Sequence, residues 1–89
     1  MAKKILIVAD TTEERIGKKA ELMRMWGKAH QINSAAHEHA IAVCKGMVPD
    51  IIIISMVPGS ALVYEEMERL LSGAGKIYFD GYDALPATI

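Results

Sequence analysis

The side chains best suited to chemistry in this sequence are Asp10, Thr11, Ser55, Ser60 and Asp80, together with three histidines and one cysteine, Cys44. Asp10 and Asp80 are hard oxygen donors of the kind Mg²⁺ takes, because one or two carboxylates with water can complete its shell. Gly59-Ser60, at the start of a helix, offers backbone amides to an anion. A plainer use stands beside each: a loop acid, or a cap that satisfies the free amides of a helix end. His37 and His39 lie two apart on a helical segment and point to nearly opposite sides, so with His30 they make no metal set and read as surface residues. Cys44 falls in the middle of an amphipathic segment, where a thiol packs as a small apolar group.

These residues matter only if the chain brings them together, and the hydropathy pattern says how it does so. Ile5 to Ala9 and Ile51 to Ile54 are apolar at every position and rich in β-branched side chains, the signature of parallel strands covered on both faces. Between them, Glu13 to Trp26 reads as a helix with Ile16, Ala20, Met23 and Trp26 on its buried stripe. Thr11 and Glu14 form a capping box at its start, and Gly27 stops it. A short second strand is expected over Ala29 to Asn33, with Ser34 capping the next helix. That helix buries Ala36, Ala40, Val43 and Met47, and Gly46 and Pro49 close it. A third helix follows Pro58-Gly59-Ser60 and buries Val63, Met67, Leu70 and Leu71, ending at Gly73 and Gly75. Lys76 to Phe79 is the fourth strand, and residues 80–89 form a tail.

The resulting order is βαβαβαβ in a single domain over residues 1–89. Right-handed crossovers then give a three-layer, doubly wound α/β fold with a parallel sheet ordered 2-1-3-4. In such a sheet the carboxyl ends of the strands form the edge where ligands bind. Here that edge collects Asp10-Thr11, Ser55 to Ser60 and Asp80 to Asp83.

Composition narrows the partners. Ten basic and eleven acidic residues give a net charge of −1, too little for a field that holds nucleic acid or an anionic membrane. No segment approaches the roughly 20 apolar residues of a membrane span, and a single cysteine cannot form an internal disulfide, so a soluble, cytoplasmic protein is expected. Since 52% of residues are hydrophobic, a packed core can form without metals or disulfides.

The stretches "KKILIVAD", "MRMWG", "PDIIIIS" and "VPG" resemble a receiver domain of two-component signalling, itself a flavodoxin-like fold, over roughly the first 80 residues. A receiver opens with a strand ending in paired acids and carries a phosphorylated Asp at the end of its third strand, shortly before a Met-Pro-Gly-like turn. Here Ala9 stands at the first place of the acidic pair and Ser55 at the phosphoacceptor. The turn after Ser55 is one residue shorter than that pattern, Asp80 falls near the fourth-strand hydroxyl residue, and no fifth strand follows to supply the family's Lys. A serine hydroxyl forms no acyl phosphate, and the missing carboxylate weakens a Mg²⁺ site. The resemblance therefore implies a non-catalytic receiver-like signalling or protein-interaction domain.

That domain would bind a protein partner or itself, because the open edge of the fourth strand invites pairing and makes a homodimer the expected assembly. An alternative of the enzyme class is a small phosphotransfer protein similar to the B components of sugar phosphotransferase systems. Those carry a nucleophilic Cys just after the first strand, where this chain has Asp10. A nucleotide binder ranks lowest, since the loop after the first strand is acidic and lacks glycines.

Overall fold

The computed structural model describes residues 2–58, 60–71 and 75–89. In chain order the elements are β1 (Lys4–Val8), α1 (Thr12–Trp26), β2 (Gln31–Ala35), α2 (His37–Met47), β3 (Ile51–Ser55), α3 (Ser60–Leu71) and β4 (Lys76–Asp80). The strands form one parallel sheet in the order β2-β1-β3-β4, so the flavodoxin-like α/β arrangement is the one expected.

β1 and β3 are central, and Ile5 to Val8 lie in register with Ile51 to Ile54. All eight side chains are buried, each contributing about 1.5–3 kcal/mol relative to exposure. Alternation divides them between two cores. Leu6, Val8, Ile52 and Ile54 meet α2 and α3 through Ala40, Cys44, Met67 and Leu71. Ile5, Ile7, Ile51 and Ile53 meet Leu22 of α1, with Trp26, Leu85 and Ile89 against them. Among the described residues one helix covers this second face, and the tail completes the cover. Trp26 Nε1 donates to the Pro86 carbonyl at 2.8 Å, fastening the tail beside α1.

Four local readings change. Of the stripe expected on α1, Met23 and Trp26 pack against the second core, whereas Ile16, 65% exposed, and Ala20 face outward. The inward side of α1 carries Arg15, Lys18, Leu22 and Trp26, so the first two turns turn cationic side chains toward the strand ends. β2 runs two residues later than expected, because pairing of Lys4 with Gln31 through Val8 with Ala35 matches it to the length of β1. Ser34 is thereby absorbed into the strand and caps nothing. The expected stop at Gly73 lies outside the described residues, whereas Gly75 has a steric reason to be glycine: a Cβ there would sit 2.8 Å from Leu71 Cδ1 and 3.2 Å from the Pro49 carbonyl.

α2 passes through Gly46 and ends at Val48, which adopts φ 47° and ψ 71°. The ring of Pro49 disfavours a right-handed helical conformation in the residue before it, and the chain escapes into the left-handed region. That region costs an L residue about 1–2 kcal/mol, more for a β-branched one, and the Val48 side chain is 63% exposed, so it recovers little by burial. Val48→Gly should stabilise the fold by about 0.5–1 kcal/mol after the added unfolded-state entropy, roughly 3–6 °C in Tm. A thermal melt with an unchanged or lower midpoint would contradict this reading of the helix end.

Candidate functional site

Asp10, Ser55 and Asp80 all arrive at the carboxyl edge of the sheet, yet two different helices take hold of them. Asp10 turns to α2. Its Oδ1 accepts the backbone N–H of His37 at 3.2 Å and lies 2.8 Å from His37 Nδ1. The N-cap residue of α2, Ala36, has no side chain able to accept a hydrogen bond, so the β1–α1 loop supplies the cap.

His37 was expected at the surface, but its side chain is only 11% exposed. Its Nε2 stands 3.0 Å from the carbonyl oxygen of Ser55. A carbonyl can only accept, so Nε2 carries a hydrogen and donates it. Ser60 Oγ donates to the same carbonyl at 3.0 Å, accepts the Val57 amide at 2.7 Å and lies 3.4 Å from Nε2. One imidazole thus joins the loop after β1, the start of α2 and the loop after β3.

Acid, imidazole and hydroxyl in this order resemble the residue types of a nucleophile, its base and the group that orients the base. The protons run the wrong way for that chemistry. The Ser60 hydroxyl spends its hydrogen on a carbonyl, the facing ring nitrogen is itself a donor, and Ser60 is buried. The arrangement ties loops together.

Asp80 turns to α1 on the opposite face. Lys18 Nζ lies 2.7 Å from Asp80 Oδ1 and also pairs with Glu21. Burial works against the Lys18 ammonium, but the hydrogen bonds to Asp80 and Glu21 outweigh it and hold its pKa above the ordinary lysine value. Ser55 is the register partner of Asp80, and its Oγ is buried with no hydrogen bond among the described residues. Arg15 closes the neighbouring corner: its guanidinium donates to the Ala9 and Asp10 carbonyls at 2.6 and 3.0 Å and to Thr12 Oγ at 3.2 Å. Thr11 acts as the N-cap of α1, its hydroxyl accepting the Glu14 amide at 3.1 Å. Gly59 lies outside the described residues.

The carboxylates considered for Mg²⁺ are therefore each answered by a nitrogen donor, His37 for Asp10 and Lys18 for Asp80. This donor set does not suit a hard divalent cation. Among the described residues, no three of His, Cys, Asp and Glu group so as to hold a metal ion. His30 also has a structural use, its Nδ1 accepting the Lys3 amide at 2.9 Å, and His39 stays 72% exposed beside Glu38. Cys44 is buried, and desolvation pushes its thiol above the ordinary cysteine pKa, the reverse of what a nucleophile needs. No described helix is long and apolar enough to cross a membrane. Compared with family models, with curated proteins and with solved structures, the chain matches none of them.

The role of His37 was missed because its partners are 18 and 27 residues away in sequence. The signal that could have found it is the uncapped start of α2: Ala36 cannot cap it, and Asp10 follows the strand next to β2.

Two expectations follow. His37→Ala should cost about 1–3 kcal/mol in urea unfolding, because it strips a donor from the Ser55 carbonyl, whereas His39→Ala should stay within about 0.5 kcal/mol. Equal effects of the two substitutions would remove the tie. Hydrogen bonds from the His37 side chain and then its backbone N–H hold the Asp10 carboxyl below its ordinary 3.8. A carboxyl lowered on folding contributes stability above its unfolded value and loses it as pH falls through the folded one. Stability should therefore decline as pH drops below about 4, and Asp10→Asn should flatten that limb; identical acid limbs for both proteins would contradict the pairing.

Proposed function

We propose that this chain is a non-catalytic, receiver-like module that acts through protein interaction in the cytoplasm. The observation that carries the reading is the position of His37, which spans from Asp10 to the Ser55 carbonyl across the cleft where a receiver would do phosphoryl chemistry. The third strand ends in a serine whose oxygen is buried, and the acids on either side are engaged by His37 and Lys18. A phosphoryl group entering here would need a carboxylate nucleophile and a cation to neutralise it, and the residues in place favour neither.

With that cleft bridged, the remaining means of action is surface contact, and among the described residues β4, like β2 at the other end of the sheet, has one edge without a neighbouring strand. The phosphotransferase-like alternative has less support, since Cys44 is buried within α2 and has a raised pKa.

Incubating the protein with acetyl phosphate and Mg²⁺, and separately with a phosphoenolpyruvate-driven phosphocarrier, should leave its intact mass unchanged. A phosphoryl adduct on any residue would overturn the proposal.

A further inference from the structure

The free edge of β4 is not uniform along its length. The Phe79 N–H donates to Asp83 Oδ2 at 2.7 Å, and the Phe79 carbonyl accepts the amides of Tyr82 and Asp83 at 3.1 and 2.9 Å. Phe79 therefore turns its backbone groups away from β3, and the turn that follows has already filled them. Lys76 does the opposite, its amide donating to the Asp50 carbonyl at 3.0 Å on the β3 side. By the alternation of a strand, Ile77 directs its N–H and C=O outward like Phe79. Beside it, a groove of about 550 Å³ runs between α3 and β4, lined by Tyr64, Glu68, Leu71, Gly75, Lys76 and Ile77.

From this we infer that β4 pairs antiparallel with β4 of a second copy, about a two-fold axis that passes beside Ile77. The inference rests on the interaction-module reading and names its partner. Antiparallel pairing is what a two-fold axis gives when one strand meets its own copy, and three axis positions are available on so short a strand. An axis at Tyr78 would need Phe79 to pair with Ile77 of the other copy, and Phe79 is taken. An axis at Lys76 sets two ammonium groups directly opposite each other, which is repulsive.

An axis at Ile77 keeps the ammonium groups apart and leaves its central pair of bonds independent of Phe79, which comes opposite Gly75 of the other copy without bonding to it. The two Ile77 residues exchange a pair of N–H···O bonds, and their side chains meet over the two grooves. On the other face each Lys76 lies across from Tyr78 of the second copy and, one diagonal further, within reach of its Asp80. Asp80 holds Lys18 through Oδ1, which leaves its other oxygen for this contact. Opposite charges are thus brought together across the axis, and the choice of Ile77 over Tyr78 rests on the hydrogen bonds at Phe79. Asp83 acts as the stop that keeps the pairing from sliding past Ile77, an edge-guarding use of a carboxylate.

Cross-linking reads the register directly. Residues directly opposite in a hydrogen-bonded antiparallel pair have Cα atoms about 5.5 Å apart, inside disulfide range, whereas residues offset along the strands exceed the roughly 7 Å limit. Ile77→Cys should give a covalent dimer under mild oxidation, and Lys76→Cys should stay monomeric. Cys44, buried and raised in pKa, stays out of the exchange. The reverse pattern, or no cross-link at either position in variants with native circular dichroism, overturns the register.

Sedimentation of the otherwise unaltered chain supplies a readout that does not replace Ile77. It should show a monomer–dimer equilibrium that Lys76→Glu weakens about tenfold, since Glu then faces Asp80 of the other copy. A monomer at every concentration, or a dimer that Lys76→Glu leaves unchanged, overturns the pairing. A phosphoryl adduct would instead overturn the module reading, whatever the assembly.

Discussion

The fold depends on one constraint: β1 and β3 lie side by side and parallel, with Ile5 to Val8 against Ile51 to Ile54 and every side chain of both runs buried. A strand buried on both faces needs a layer above and a layer below, and the two crossovers that link β1, β2 and β3 must each carry a helix. From that pair come the sheet order, the two cores and the single edge at which the loops after the strands gather. α2 and α3 cover one face, while α1 covers the other with help from the tail, fastened by the bond from Trp26 to Pro86.

The same constraint shapes the strand ends. The last strand residues emerge on alternating faces, so Asp10 is offered to α2 and Asp80 to α1. Each helix answers with a nitrogen donor, and Arg15 gathers the carbonyls between them. Apart from Ser55 Oγ, the polar residues at this edge therefore spend their hydrogen bonds on one another and on backbone. Buried polar groups are stabilising when satisfied and costly when stripped of a partner, so such a web holds three loops in fixed relation.

The sheet order and the strand-end edge were legible in the sequence because continuous β-branched runs and helical spacing are local, strong signals. Thr11 as the cap of α1 was legible for the same reason, since its partner is three residues away. What escaped was long-range or contrary to hydropathy. The inward face of α1 carries Arg15 and Lys18 while Ile16 faces solvent, an inversion that arises because the strand ends above Leu22 present carbonyls and a carboxylate. His37 gives no local hint of its two partners, and Val48 in a left-handed conformation follows from Pro49 together with the turn into β3.

The account stands on His37 as the tie between Asp10 and Ser55. The most direct measurement is a proton–nitrogen correlation spectrum of the imidazole side chains. His37 should show a ring N–H that exchanges slowly with water and gives nuclear Overhauser contacts across to the Ser55 and Ser60 region, while His39 shows neither. A His37 ring that exchanges as fast as that of His39, with no contacts to the loop after β3, would mean that the strand-end cleft stands open.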